Sequence, residues 1–414
     1  MKLNKKNIIF ALIILLVVSL GSITTATSAD WPMFQENNQH TGFLEEVGDF
    51  VSNVWAVYIG GPVKSSPAIK DSILYLATED GVLKAIDMDS GDEKWKYEFN
   101  QTIVSSPVIV GDDLFIGTNS GYLYDLDIDT KKVVWKYKVS KPIKSTPTVL
   151  NGVVYFGSDN GYVYALDSDD GSVIWDSQIN GSIRSSPLVV NDTLFVGSTS
   201  GTIFSLSSSS GDVLWSYVTG DSIASSPAYY NDSVFVGSDD GNLYTLNSTT
   251  GALIWKYDLG NKVQSSPTID TWSNSVFVGS DNGYLTSVDT RDGELKWQYQ
   301  ASGQVKSTPS LLDNQVIFTS NGGDFYMLNK YTGALNLSYN PGTFLFNTPL
   351  SSSPVVYGQN AYFAGEDSYL YSIDCEKGDS PASIFEYYTW AIIIVVLVVI
   401  IAVVTIIRRR NKKH

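Results

Sequence analysis

The triplet Ser-Ser-Pro or Ser-Thr-Pro recurs along the chain, with its prolines at Pro67, Pro107, Pro147, Pro187, Pro227, Pro267, Pro309 and Pro354. The first five intervals are 40 residues and the last two are 42 and 45. Self-similarity at a period of this size means a repeat architecture, in which each unit buries its faces against its neighbours. One unit reads SSPAYY, SVFVGS, NLYTL, LIWKY, which is four short strands of β-branched and aromatic residues alternating with small or polar ones. Nothing in the unit has a helical period.

Turn residues separate the strands. Asn151-Gly152, Asn191-Asp192 and Asn231-Asp232 fall between the first and second strands, where a tight hairpin needs positive φ. Asp80-Gly81, Asn160-Gly161, Asp240-Gly241 and Asn282-Gly283 fall between the second and third. Four antiparallel strands in about 40 residues make one blade of a β-propeller.

The third and fourth strands are joined by AIDMDSGDEKW (85–95), ALDSDDGSVIW (165–175) and SVDTRDGELKW (287–297). This run resembles the tryptophan-docking motif of the PQQ-like, quinoprotein-type β-propeller repeats, the family of the bacterial outer-membrane assembly scaffold lipoprotein and the quinoprotein alcohol dehydrogenases. The resemblance covers residues 31 to 375 and implies that Trp95, Trp135, Trp175, Trp215, Trp255 and Trp297 are structural docking residues. Leu337 replaces the tryptophan in the seventh unit, and Lys131 replaces the turn glycine in the second. An indole on each outermost strand can wedge against the next blade while its N–H reaches a buried acceptor.

The eighth unit ends at YLYSIDCEKG without a fourth strand, whereas VSNVWAVYIG (51–60) is a fourth strand with no unit before it. The expectation is an all-β, eight-bladed propeller over residues 51–378, closed by the N-terminal strand with Trp55 in the docking position and so free of unpaired radial edges. The SSP triplet then marks the innermost strand, where small side chains suit the channel wall and proline suits a strand start.

Residues 1–29 read as a secretory signal peptide, with three lysines before an apolar run and small residues at its end. Residues 30–50 precede the propeller; WPMFQENNQHTGF (31–43) resembles the segment before the first blade in this family, and packing across one channel mouth is expected of it. After a linker (379–386), residues 387–407 are apolar over a length that crosses a hydrocarbon core as one transmembrane helix. Tyr387, Tyr388 and Trp390 precede or begin it, and the basic tail 408–414 follows. By the positive-inside rule the propeller is extracellular and the C-terminus cytoplasmic, at the cell membrane.

Of the 27 basic residues, three lie in 1–29 and five in 408–414, which leaves 19 against 43 acidic residues on the exported part. Such a surface disfavours nucleic acid. The lone Cys375 forms no intramolecular disulfide, and outside the tail the only histidine is His40, so no multi-histidine metal site assembles. The family's catalytic members use a vicinal cysteine pair, which one cysteine cannot supply; no catalytic residue, cofactor or metal is therefore assigned. DSDDG (167–171) lacks the EF-hand spacing and reads as a docking turn.

Sequons at Asn100, Asn180, Asn191, Asn231, Asn247 and Asn336 are candidates for N-glycosylation. Asn191 and Asn231 lie at hairpin tips, whereas Asn247 takes the place of the docking-turn Asp. Blade-to-blade connections and second-to-third turns must share one face, because each first strand starts after a connection. That face carries Glu79, Asp80, Asp159, Asp239, Asp240, Asp281, Glu366 and Asp367. The long connection NLSYNPGTFLFNTPL is expected to set Tyr339, Phe344 and Phe346 beside these acids, which reads either as a hydrophobic lid packed over the channel or as a partner-binding surface. The functional expectation is a membrane-anchored, extracellular, non-catalytic binding or scaffolding module for a cell-surface protein or glycan. The alternative is an exported quinone-dependent or sugar-active enzyme.

Overall fold

The computed structural model describes residues 54–342 and 348–375. These form 32 strands in eight sheets of four. Seven sheets run in chain order from first strand to fourth. In the eighth, Trp55–Tyr58 lies beside Tyr369–Asp374 and completes the sheet begun by Val355–Tyr357 and Asn360–Ala364. The closing pair is antiparallel, with Trp55 opposite Ser372 and Tyr58 opposite Tyr369. The ring is thus sewn shut by both ends of the described chain. Among the described residues no helix is long and apolar enough to cross a membrane. The expected signal, linker, transmembrane and tail segments lie outside the described residues, as do residues 30–50.

Burial follows position in the blade. Second strands such as Val153–Gly157 and Ser233–Gly237 are buried from their second residue onward. Their alternation of large and small residues therefore does not separate a wet face from a dry one. Both faces of a blade's middle meet neighbouring blades, so both must be apolar. Phe115, Phe195, Phe235 and Phe277 recur at one register position there and are almost wholly buried, each contributing about 1.5–3 kcal/mol of apolar burial. Fourth strands such as Lys132–Lys138 do alternate, exposed and half-buried, because they form the outer rim.

In blades one to seven the pairing of third and fourth strands shifts register at one place, for example between Ala165 and Leu166. The docking turn forces this bulge. In blade eight no turn joins those strands, and the pairing of Trp55–Tyr58 runs without a shift.

The serine triplets knit the centre. The first serine binds its own blade: Ser145 Oγ donates to the Gly157 carbonyl at 2.9 Å and accepts from the Gly157 N–H at 2.9 Å. The second binds the next blade, 40 residues on. Ser66 N–H donates to Ser106 Oγ, Thr146 N–H to Ser186 Oγ, Ser186 N–H to Ser226 Oγ and Ser226 N–H to Ser266 Oγ, at 2.8–3.0 Å. Ser106 to Thr146 and Thr308 to Ser353 continue the belt. These six buried N–H groups, which proline's neighbourhood leaves without a ladder partner, are thereby satisfied. At Gly157 a Cβ would stand 2.1 Å from an Ile183 methyl, so this inner seam closes only because no side chain is present.

Candidate functional site

Six indoles dock as their spacing requires. The N–H groups of Trp55, Trp135, Trp175, Trp215, Trp255 and Trp297 donate to the carbonyls of Met88, Ser168, Ser208, Ser248, Thr290 and Lys330 at 2.8–3.2 Å. Each acceptor belongs to the following blade, and Trp55 of blade eight reaches blade one. The rings lie over the docking-turn glycines. A Cβ at Gly171, Gly211, Gly251, Gly293 or Gly333 would meet a ring carbon at 2.6–2.8 Å, and these glycines hold φ of +70 to +75. Lys131 occupies that place in blade two with φ 58. Trp95 packs against the buried cluster that includes Ile128 of that turn, but among the described residues it makes no matching N–H bond.

The docking turns are held by their leading side chain. Asp87 Oδ1 accepts the N–H groups of Asp89 and Ser90, and Asp167 Oδ1 accepts that of Asp169. Asn247 Oδ1 does the same for Thr249 and Thr250. A hydrogen bond from Lys94, then the Ser90 N–H, holds the Asp87 carboxyl down at about 2.

The two faces divide as the strand directions require. The Glu79 N–H donates to the Pro62 carbonyl, joining a second-to-third turn to a blade connection on the upper face. The Met88 N–H donates to the Ser72 carbonyl, joining the two other turns on the lower face.

The acidic turn residues of the upper face are largely engaged. Glu79 pairs with Lys64 at 3.0 Å, Asp159 with Lys144 and Arg184 at 3.1 and 3.0 Å, and Asp281 with Lys306 at 3.5 Å. Asp239 pairs with Lys262 at 3.0 Å and accepts from Gln264. Glu366 accepts from the Ser351 hydroxyl at 2.8 Å. Asp240 Oδ2 accepts the Tyr244 hydroxyl at 2.6 Å and the Gly220 N–H at 2.7 Å. Burial would raise the Asp240 carboxyl, but the Tyr244 hydroxyl and the Asn242 and Gly220 donors outweigh it and keep it below the usual range. Asp367 Oδ2 likewise accepts the Tyr371 hydroxyl at 2.6 Å. The surface is a set of fixed groups, four of them in ion pairs and others held by hydrogen bonds, rather than a free acidic ring.

Tyr339 lies behind one of those turns, against the tyrosine that bonds Asp367, and is not exposed. It ends the strand Leu335–Tyr339 with its side chain buried, edge-on to Tyr371 with ring centroids 6.2 Å apart. It belongs to a recurring set that the sequence does show: Tyr97, Tyr137, Tyr217, Tyr257 and Tyr299 stand two residues after the docking tryptophans, as Tyr339 stands after Leu337. Tyr137 meets Tyr164, Tyr217 meets Tyr244 and Tyr299 meets Tyr326 across alternate seams. Phe344 and Phe346 lie outside the described residues. Asn100, Asn180, Asn191 and Asn231 are all exposed, and Asn100, Asn191 and Asn231 hold positive φ. Cys375 is buried, which pushes its thiol up to about 12.

Eight four-stranded blades, a closing N-terminal strand and indole-docked seams define a PQQ-like repeat propeller. Residues 110–375 match the family model described as "Beta-alanine-activating enzyme, beta-propeller", and residues 52–107 match that of "Outer membrane protein assembly factor BamB". The chain belongs to this PQQ-like propeller family. Among curated proteins none matches it in sequence. Among solved structures, BamB from Moraxella catarrhalis is similar with a TM-score of 0.66 at 18% identity, covering 78% of this chain and 99% of that one. The quinohemoprotein alcohol dehydrogenase from Comamonas testosteroni aligns with a TM-score of 0.70 at 15% identity, covering 84% of this chain and 81% of that one. A computationally designed protein, Ika8, aligns with a TM-score of 0.68 at 15% identity, covering 76% and 98%. At these identities the likeness is one of fold, and function has to be argued from the site.

Proposed function

We propose that this protein is a membrane-anchored, extracellular propeller that binds or scaffolds a cell-surface protein or glycan and carries out no chemistry of its own. The observation that carries this reading is the preorganised upper face. Turn side chains from five blades are locked by ion pairs and hydrogen bonds to blade connections, so a partner meets groups whose ordering entropy is already spent. The match to the BamB family model over residues 52–107 supports a binding role by analogy. The single cysteine of the sequence, buried at the end of blade eight, supports the non-catalytic side of the reading.

Anchoring rests on the apolar stretch 387–407 and the basic residues after it. Phe344 and Phe346, in the connection from 340 to 350, are proposed as the apolar part of the partner surface, with Asp239, Asp240, Glu366 and Asp367 as its acidic part. An impermeant lysine-reactive cross-linker applied to intact cells tests the reading. Partner peptides are expected on the upper-face residues Lys64, Lys144, Lys262 and Lys306. Products confined to Lys94 and Lys132, at the opposite end of the outer strands, contradict it. Phe344→Ala with Phe346→Ala is expected to reduce capture while leaving the melting temperature nearly unchanged. The oxidoreductase alternative predicts stoichiometric quinone binding in the presence of calcium, read by absorbance and calorimetry.

A further inference from the structure

The seam between blades five and six differs from the others on the lower face. The first hairpin of blade six is two residues longer than its counterparts, and its tip, Thr271 to Asn274, accounts for the 42-residue interval. A cavity of about 230 Å³ lies here, between the first hairpin and outer strand of blade five and the docking turn of blade six. Its polar wall comprises Tyr230, Asn231, Asn274, Thr290 and Arg291, and Phe235 and Ile254 supply an apolar wall.

Three features of this wall call for a ligand. Thr290 is about nine-tenths buried, its carbonyl is taken by Trp255, and its Oγ1 has no hydrogen-bond partner; such a hydroxyl costs about 1–3 kcal/mol unless something else pairs with it. The Tyr230 hydroxyl makes only long contacts, 3.4 Å to the Thr271 carbonyl and 3.4 Å to Asn274 Oδ1. Arg291 is clamped on Asp289 through Nε at 2.9 Å and Nη2 at 2.7 Å, which leaves three of its five N–H donors unspent. The clamp also compensates the guanidinium charge, so the site does not demand an anion.

We propose that this cavity is a saccharide site that accepts one neutral pyranose unit of a surface glycan. Vicinal sugar hydroxyls both donate and accept, matching hydroxyl, amide and guanidinium groups converging from two blades. The C–H face of a pyranose matches the exposed Ile254 side chain. The size admits a single ring with its substituents continuing into solvent. This rests on the reading of the propeller as a binding module and names the chemistry of one of its ligands.

The test uses the full chain in detergent micelles, made in a host without N-glycosylation so that Asn231 carries no sugar of its own. Methyl glycosides of glucose, galactose and mannose, and of their N-acetyl amines, are titrated by ligand-observed NMR. At least one is expected to bind at millimolar concentration. Thr290→Val and Asn274→Ala are each expected to weaken it by about tenfold, while Asn321→Ala on the opposite face leaves it unchanged. Thr290→Val should keep or raise the melting temperature, since it removes an unsatisfied buried hydroxyl; binding and stability then move apart, which a merely structural Thr290 would not produce. The inference is overturned if no glycoside binds, or if binding survives both variants. If no glycoside binds while intact-cell cross-linking still captures a partner on the upper face, the saccharide site is wrong and the binding-module reading stands.

Discussion

Asp125 is the residue most at odds with its surroundings. It faces Trp135 across the third and fourth strands of blade two, where other blades place Ala85, Ala165, Ser205, Thr245 or Ser287. It is 1% exposed, and its Oδ1 has no hydrogen-bond partner. Burial, then the charges of Asp113, Asp127 and Asp169, push its carboxyl up to about 7. The folded protein therefore holds a proton that the unfolded chain has released, and stability must fall as pH rises from the ordinary carboxylate range to about 7, then level off. The slope from this group is at most about 1.4 kcal/mol per pH unit. Asp125→Ser is expected to remove that slope and to stabilise more at pH 8 than at pH 5, read by denaturant midpoints at both; equal effects at the two would contradict it. Lys131 is a second such residue. Its left-handed backbone carries about 1–2 kcal/mol of strain that glycine lacks, less what glycine loses in the unfolded chain. Lys131→Gly should raise stability by roughly 0.5–1 kcal/mol and let Trp95 make the bond its six counterparts make.

At the scale of elements, the belt of serine triplets and the closing strand are the parts whose loss is most diagnostic. Ser186→Ala removes the acceptor of the buried Thr146 N–H and is expected to cost about 1–3 kcal/mol. Deletion of residues 51–60 opens the edge of Tyr369–Asp374 and strips Trp55 from the Met88 carbonyl, so a large fall in melting temperature is expected; an unchanged value would contradict closure. The blades, their strand order and this closing strand were legible because the 40-residue period and the unmatched VSNVWAVYIG fix them without any distance. The belt itself was visible only as repetition. That the second serine hydroxyl serves the neighbouring blade depends on the ring closing, which no local pattern states. Tyr339 was legible in principle, since the W-x-Y spacing of five other blades predicts its seam position, but the departure at Leu337 hid the register. The lower-face cavity left a trace in the sequence, the two extra residues before Ser275. Its meaning depends on Thr290 and Arg291, which come from another turn. The pairing of Asp159 with Arg184, or Asp239 with Lys262, was illegible because strand pattern does not reveal which charges meet across a seam.

For the whole molecule, both described ends of the chain lie at the lower face: fourth strands start there, with Trp55, and third strands end there, with Asp374. Under the proposed anchoring, the apolar stretch 387–407, which begins only a dozen residues beyond Cys375, would turn the lower face toward the membrane and the locked turns of the upper face away from it. The measurement that tests this account most directly is amine labelling of cells, with any wall layer opened, by a reagent that does not cross membranes, read by peptide mass spectrometry before and after permeabilisation. Propeller lysines such as Lys96, Lys262 and Lys306 are predicted to label on intact cells, and Lys412 and Lys413 only after permeabilisation. Labelling of Lys412 and Lys413 on intact cells, with the propeller lysines silent until the membrane is opened, would contradict it.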